Sequence, residues 1–371
     1  MSVSSKEYDG IHKYLRITDI DEKSRKFNKD KLTSPDIKFN SSSKKYLLSN
    51  NDIVFARTGA STGKTYMYQK EDGIVYYAGF LIKASLSSNF DNNFIFQQTY
   101  RKRYYQRVKV ISQRSGQPGI NSKEYGNFDF LITQIEEQNK IGKLFKIFDN
   151  LLALYERKTR LLSKLRTFLT QRLFSNSSKV SLYFDNKNWS KHKISEFLTE
   201  RNEKVIPNPS IPLVSFTVEK GVTPKSKRYN REFLVKDDKK KYKITKKNDI
   251  VYNPANLKFG AIARNKFGNA AFSPIYVTFI TKLNPVFTEF LVRRKDFIKL
   301  ALKYQEGTVY ERMAVKSKDF LSLKIYLPNS SRDINHIAQI LQSLDTLVSL
   351  NKNKISLITL IKKELLNTMF I

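Results

Sequence analysis

The stretch Thr58-Gly59-Ala60-Ser61-Thr62-Gly63-Lys64-Thr65 comes nearest in composition to a phosphate-cradling loop. Such a loop needs four residues between its glycines and a helix straight after the Lys-Thr pair, so that backbone amides close round the phosphates. Here three residues separate Gly59 from Gly63, and Tyr66-Met67-Tyr68-Gln69 reads as a strand. Nucleotide hydrolysis is therefore not expected. A small, basic turn between strands suits approach to a nucleic-acid backbone better.

Asn253-Pro254-Ala255-Asn256 falls short of the Asn-Pro-Pro-Tyr motif of adenine methyltransferases, because the aromatic that would stack on a flipped base is missing. No glycine-rich cofactor turn follows a first strand. Asp237-Asp238-Lys239 has the residue types of a nuclease carboxylate–lysine cluster, but in a chain with 67 Lys and Arg such a triplet arises by chance and reads as a solvated turn. His12, His192 and His336 lack metal-binding spacing, and there is no cysteine to form a disulfide or a thiolate site. No catalytic residue, metal or cofactor is expected.

The 67 basic residues face 34 acidic ones, a formal net charge of +33, which asks for a polyanionic partner, a large acidic protein, or both. With 40% hydrophobic and 13% aromatic residues, the chain is no disordered basic tail. Its 371 residues leave room for two or three domains with proper cores. Met1 to Gly10 is polar, without the apolar core of a signal peptide. No apolar run reaches the roughly eighteen residues that would span a membrane. A soluble, cytoplasmic protein is expected.

The elements that must position the basic turns occur twice. Asn51-Asp52-Ile53-Val54 recurs as Asn248-Asp249-Ile250-Val251, each after a short apolar-polar stretch (Tyr46-Leu47-Leu48; Tyr242-Lys243-Ile244). A glycine-containing turn and alternating apolar residues follow. These are Tyr66-Met67-Tyr68 and Ile74 to Ile82 in the first copy, Ala261-Ile262-Ala263 and Ala270 to Ile280 in the second. Alternation broken by turn signals such as Glu71-Asp72-Gly73 predicts short strands joined by hairpins. Helical, aromatic and basic stretches come next, Phe94 to Val110 and Phe287 to Tyr304. Each leads to a glycine-bearing loop, Arg114 to Asn121 and Gln305 to Arg312, and then to a final strand.

A long helix closes each copy. Stepping alternately four and three residues gives Ile141, Phe145, Phe148, Leu152, Tyr155, Thr159, Leu162, Arg166, Leu169 and Leu173. The same walk gives Ile337, Leu341, Leu344, Val348, Asn351, Ile355, Ile358, Lys362, Leu365 and Met369. Eight of ten are apolar or aromatic in each, and both walks put a basic residue at the eighth step. This is a coiled-coil seam sustained over about five heptads. Thr133-Gln134-Ile135-Glu136 has the spacing of a capping box at the first helix's start. Two helices of matched pattern, each about 57 Å long, are expected to pair antiparallel with each other.

Candidate DNA contacts follow from charge and hydrogen-bonding capacity. Bidentate groups read bases, Arg on guanine and Asn or Gln on adenine, while Lys and Arg hold phosphates. The glycine loops offer Arg114, Ser115, Gln117 and Asn121, then Gln305, Tyr310 and Arg312. The hairpin turns offer Arg57, Ser61 and Lys64, then Asn253, Lys258 and Arg264. Arg101 and Arg103 lie on the basic helical run Tyr100 to Lys109, suited to phosphate contact.

The order of globular unit, long helix, globular unit, long helix spans nearly the whole chain. It resembles the specificity subunits of Type I restriction-modification systems. Asn188-Trp189-Ser190-Lys191-His192-Lys193-Ile194-Ser195-Glu196-Phe197 is similar to the opening of their recognition domains. Glu137 to Gly142 with Phe148-Asp149 looks like the entrance of the family's first conserved helix, and Lys158 to Leu173 like its exit.

The resemblance implies an α/β (α+β) fold. Two similar target recognition domains are each followed by a long helix, and the helices pair as an antiparallel coiled coil with pseudo-two-fold symmetry. The expected boundaries are 1–134 and 179–330 for the recognition domains, 135–178 and 331–371 for the helices. It implies a non-catalytic subunit reading a bipartite site in double-stranded DNA, one half per domain. The helices would space the readers and dock methyltransferase subunits, with restriction/translocase subunits joining the larger assembly. A free-standing tandem nucleic-acid-binding protein with a coiled-coil spacer is the alternative. In one respect the chain departs from the pattern. Sixty residues separate Trp189 from Asp249, but only 51 precede Asp52, without a Trp-containing opening. The first recognition domain is expected to lack its first strand or helix.

Overall fold

The computed structural model describes residues 3–22, 24–113, 116–174, 189–224, 240–307 and 313–370. They divide into two units, Met1–Glu156 with Lys352–Ile371, and Arg157–Asn351. The division passes through both long helices. One of the expected boundaries, 178/179, lies outside the described residues.

The first unit contains β1 (Ser5–Glu7), β2 (Lys13–Leu15), β3 (Thr33–Pro35), β4 (Asp52–Ala56), β5 (Thr65–Met67), β6 (Val75–Tyr77) and β7 (Leu81–Ser85). Its helices are α1 (Asn92–Gln98), α2 (Lys102–Ile111), α3 (Ser122–Gly126) and the start of α4 (Ile135–Leu173). The second unit takes the end of α4, then β8 (Trp189–Lys193), β9 (Leu198–Glu200), β10 (Lys204–Val205), β11 (Val214–Thr217), β12 (Gly221–Pro224) and β13 (Tyr242–Thr245). It continues with β14 (Ile250–Tyr252), β15 (Ile262–Arg264), β16 (Ala270–Phe272), β17 (Val277–Thr281), α5 (Pro285–Val292), α6 (Lys295–Leu302), α7 (Ser317–Ser322) and β18 (Lys324–Pro328). The start of α8 (Ser331–Thr368) completes it, and the end of α8 belongs to the first unit.

The repeated Asn-Asp-Ile-Val motif builds the same corner in both units. Asn51 and Asn248 sit at φ 72° and 76°, a left-handed conformation that asparagine tolerates. The following aspartate turns back to accept a backbone N–H three residues upstream, Ser49 onto Asp52 at 2.9 Å and Lys246 onto Asp249 at 2.7 Å. The chain then enters a central strand. Ile53 and Val54, like Ile250 and Val251, are at most 1% exposed, as residues buried on both faces of a sheet must be. Antiparallel neighbours flank each central strand, β5 and β7 in the first unit, β15 and β17 in the second. A parallel pairing also recurs, Tyr14 with Tyr76 and Leu213 with Ala271.

At the sheet edge the copies differ. The second unit adds β9 outside β17 and pairs β18 with β8. In the first, the sheet ends at β7, and residues 128–132 form no strand. The final strand expected in both copies thus exists only in the second, where β8 is present to pair with it.

Helices cover each sheet. Asp91 caps α1 by accepting the Phe94 N–H at 2.7 Å, and Gly142 of α4 abuts that cap. A Cβ at position 142 would lie 1.9 Å from the Asp91 carboxylate, so only glycine permits the approach. The Thr133 hydroxyl donates to Glu137, one residue beyond the Glu136 of the expected capping box.

Within the first unit, α4 and α8 run antiparallel. Phe145 meets Phe370 at 5.6 Å, Asp149 meets Lys362 at 2.6 Å, and Lys354 lies over the Tyr155 ring at 5.4 Å. Within the second, Arg166 pairs with Asp345. Ile141, Phe145, Ile337, Leu341, Leu344 and Lys362 are buried; Phe148, Leu152, Leu162, Leu169, Val348, Ile358 and Leu365 are half-buried. The two aromatic anchors correspond as well: Phe370 packs on Phe94 at 4.9 Å, and Phe174 on Phe287 at 5.2 Å.

Candidate nucleic-acid interface

In the first unit the turn between β4 and β5 is held against the glycine loop by backbone bonds. Gly59 N–H donates to Pro118 O at 2.9 Å, Ile120 N–H to Arg57 O at 2.8 Å, and the Thr62 hydroxyl to Pro118 O at 3.3 Å. Both glycines of the loop that resembles a phosphate cradle have conformational reasons. Gly59 and Gly63 sit at φ 72° and 86°, and a Cβ on Gly63 would lie 2.5 Å from Val108 of α2. Tyr125 of α3 ties the turn from below, donating to Ala56 O at 2.7 Å and accepting from Gly63 N–H at 3.1 Å. Burial pushes its phenol pKa well up, so it stays a neutral donor at physiological pH.

Arg57, Ser61, Lys64 and Gln117 are thereby gathered on one surface, Arg57 and Gln117 exposed, Ser61 and Lys64 half-buried. Asn121 is engaged elsewhere. Its side chain accepts the Glu124 N–H at 3.0 Å while Glu124 accepts the Asn121 N–H at 2.8 Å, a capping box for α3. Arg101 bonds Gln98 Oε1 at 2.9 Å and the carbonyl of Phe370, holding the end of α8. Arg103 is exposed on α2. Arg114 and Ser115 lie outside the described residues.

The second unit repeats the juxtaposition. Its turn is a 3-10 helix at Pro254–Phe259, capped by Asn253, whose side chain accepts from Ala255 and Asn256 N–H at 3.1 and 3.3 Å. Glu306 and Ala314 bond each other both ways at 2.9 and 2.8 Å, and Val315 N–H reaches Pro254 O at 3.3 Å. Arg264 is spent on Glu289 at 3.1 Å and Asn248 at 2.7 Å, with Lys266 and Arg293 also on that buried carboxylate. Lys258 is exposed and Gln305 half-buried. Tyr310, Arg312 and Asp237-Asp238-Lys239 lie outside the described residues.

Several residues of this surface escaped the sequence reading. Phe259, 64% exposed beside Lys258, is a large aromatic with no core to enter. Lys102 and Lys109 of α2, within the basic run already read from the sequence, and Lys295 and Lys299 of α6, which were not singled out, present a basic face to solvent. Aligning Phe94 with Phe287 would have exposed this shared pattern, since it sets Lys102 on Lys295. A further cleft of about 850 Å³ in the second unit is lined by Arg166, Arg293, Arg294, Lys295, Lys299 and Lys324 around one carboxylate, Asp296. Such surfaces attract phosphates. Among the described residues no three His, Cys, Asp or Glu cluster as metal ligands, and no helix is long and apolar enough to cross a membrane.

In sequence and fold the chain is similar to known proteins. Residues 6–163 match the family described as Type I restriction modification DNA specificity domain. The chain is 22% identical over 395 aligned positions to the Type I restriction enzyme MjaVIII specificity subunit of Methanocaldococcus jannaschii, covering 97% of this chain and 85% of that one. It is also 22% identical to the putative MjaX specificity subunit of that organism, over 87% of this chain and 78% of the other. The crystal structure of the Type I S subunit from M. genitalium superposes with a TM-score of 0.65 at 15% identity, over 99% of this chain and 93% of that one. Domain match, full-length similarity and a fold of two α/β units with long helices agree: residues 6–163 match the Type I restriction modification DNA specificity domain, and the chain as a whole is similar to Type I restriction-modification specificity subunits.

Proposed function

We propose that this chain is the non-catalytic, cytoplasmic DNA-recognition subunit of a Type I restriction-modification complex, and that each unit reads one half of a bipartite site in double-stranded DNA. The observation that carries this reading is the repeated pairing of a hairpin turn with a glycine loop: Arg57, Ser61, Lys64 and Gln117 in one unit, Lys258, Phe259 and Gln305 in the other. The residues differ between the copies, so the two half-sites differ too. Lysines of α2 and α6 add phosphate contacts that position without selecting. The long helices space the two readers, and helix length sets the gap between half-sites.

The same helices dock methyltransferase subunits, which restriction/translocase subunits then join. Their outward faces support this. In the first unit Leu154, Leu357 and Leu360 are 60%, 57% and 55% exposed; in the second Leu161, Phe168 and Leu350 are 54%, 50% and 51% exposed. Leucines repeated on the solvent side of an already paired helix have no use in the isolated chain, and apolar patches of this kind mark protein contacts. Two equivalent patches suit two copies of one partner.

The test is co-expression with the host's methyltransferase subunit, followed by mapping of methylated bases. Methylation at one defined split motif, present only when both proteins are present, supports the proposal. Specific DNA binding by this chain alone, with no methyltransferase retained on co-purification, would favour a free-standing binding protein instead.

A further inference from the structure

The cleft of about 850 Å³ in the second unit lies between the end of α4, the turn from α5 into α6, and β18. Its floor is apolar: Phe174, Phe290, Leu291 and Phe297 are 4%, 6%, 1% and 3% exposed. Three of the six cations around it are already matched, Arg166 to Asp345, Arg293 to Glu289 and Arg294 to Asp296. Lys295, Lys299 and Lys324 are exposed and have no carboxylate partner among the described residues. A rim of one sign over an apolar floor focuses the electrostatic potential and draws in an anion.

The first unit has the same place and fills it with its own side chains. Aligning Phe94 with Phe287 sets Arg101 on Arg294, Arg103 on Asp296 and Arg107 on Leu300. Aligning Ser122-Lys123-Glu124-Tyr125 with Ser317-Lys318-Asp319-Phe320 sets Asp129 on Lys324. The arginine that steadies the floor is common to both: Arg294 lies 4.8 Å over the Phe174 ring, and Arg101 lies 5.5 Å over the Phe370 ring. The rim is not. Arg107 spans to Asp129 at 2.9 Å, donates to the Asn127 carbonyl and covers the Phe128 ring at 5.1 Å. About 10 Å³ remains, room for one water at most. With Leu300 and Lys324 at these two positions, the second unit can form no such bridge and stays open.

We propose, on the reading that the second unit binds DNA, that the open cleft seats the DNA backbone beside the second half-site and that the chain therefore grips its target asymmetrically. Among anions, continuity favours the phosphodiester backbone. α6 packs on the 3-10 helix that carries Lys258 and Phe259, and α6 itself carries Lys295 and Lys299 into the cleft. A DNA strand leaving the reading turn thus meets a line of lysines that ends at Lys324. Lysine, a compact charge on a flexible stem, suits phosphates whose placement shifts with sequence. The Arg107–Asp129 bridge denies the first unit these contacts and leaves its hold on the backbone to α2 and the β4–β5 turn.

The test uses the chain in complex with the host's methyltransferase subunit, on duplexes carrying its mapped split motif. Lys299→Gln with Lys324→Gln should flatten the dependence of log K on log salt by about 1.8, about 0.9 for each phosphate no longer neutralised, and leave the preferred bases unchanged. Ethylation of single phosphates should interfere outside the second half-site and not at the matching positions outside the first. The lysine variant should lose that interference. Arg107→Leu with Asp129→Lys, which gives the first unit the second's residues, should create it on the other flank. An unchanged slope on a defined motif, or equal interference on both flanks, would overturn this inference alone; a complex with no defined motif would overturn the reading beneath it as well. Loss of methyltransferase co-purification in the lysine variant would assign the cleft to an acidic protein segment instead. Saturable pyrophosphate binding that the variant loses while its DNA titration stays unchanged would assign it to a free phosphorylated ligand.

Discussion

The two long helices carry a repeated ion pair whose cost of removal should differ sharply between the copies. Asp149 and Asp345 stand at equivalent positions, as do Lys362 and Arg166, so one pair links α4 to α8 in each unit. In the first unit, Lys362 is 9% and Asp149 30% exposed at 2.6 Å; Asp149 also accepts from Gln97 at 2.9 Å, and Lys362 lies 4.5 Å from the Tyr100 ring centre. Burial holds the lysine below its ordinary pKa, although Asp149 pulls it back up. In the second, Arg166 and Asp345 are 36% and 38% exposed, and the Arg166 Nε–H is not aligned on the carboxylate as a hydrogen bond. Removing one partner of a buried pair costs about 3–5 kcal/mol, and Asp149→Ala belongs at about 3 because its carboxylate is partly wet. Asp345→Ala should cost about 1 kcal/mol or less, as exposed pairs do. The difference of about 2 kcal/mol is roughly a 30-fold change in local opening, read by native-state hydrogen exchange on amides of 141–156 and 355–368 against those of 160–173 and 334–349. The double replacement Asp149→Leu with Lys362→Leu should recover most of the loss, since no charge then stays buried. Equal losses in the two units, or a double variant no better than Asp149→Ala, would refute the burial argument.

Alkaline stability should fall above about pH 10. Burial raises the phenol pKa of Tyr66, Tyr104 and Tyr252 well beyond the usual value. A group raised in the folded state contributes fully below its unfolded pKa of about 10 and loses that contribution as pH climbs toward the folded value, so the urea midpoint should drop between roughly pH 9.5 and 11, as a check by denaturation will show. Arg57→Ala with Lys64→Ala should lower DNA affinity across sequences and flatten the dependence of log K on log salt by about 0.9 for each phosphate no longer neutralised, measured by titration at several salt concentrations. An unchanged slope would remove that turn from the groups that hold the DNA backbone. Leu154→Asp with Leu350→Asp, both on solvent-facing positions, should abolish co-purification of the methyltransferase subunit while circular dichroism stays unchanged.

Periodicity made the paired helices legible, because the seam repeats over ten steps and tolerates local exceptions such as Arg166 and Lys362. What those exceptions do was not legible. Their partners, Asp345 and Asp149, lie one position beyond the seam residues Leu344 and Phe148, and only the antiparallel register brings them opposite. The hairpin turns were legible as turns because two glycines punctuate one of them, but the reasons for those glycines, a left-handed backbone at both and a close approach of Val108 to Gly63, were not. Residue type could not separate readers from builders. Asn121 and Asn253 cap helices with the same amide that would read adenine, and Arg264 meets a buried Glu289 with the same fork that would read guanine. Burial and local partners decide between those roles, and neither is written in one-dimensional order.

The internal repeat converts that weakness into a test the chain carries within itself. Where both copies keep a feature, a shared physical demand explains it: the left-handed Asn51 and Asn248 before a central strand, or Phe370 and Phe174 closing a helix end on Phe94 and Phe287. Where the copies diverge on a common frame, the divergence lies at the surface the frame presents. Ser61 and Lys64 on a tight glycine turn hold the position that Lys258 and an exposed Phe259 hold on a 3-10 helix. A turn of small residues admits a phosphate closely, whereas a protruding ring suits contact with a thymine methyl or a base step. Exchanging the two turns, residues 56–64 for 253–261, should therefore carry the preference for one half-site to the other unit while stability holds, because the strands on either side share register. Retention of stability without transfer of sequence preference would place base reading in the glycine loops alone.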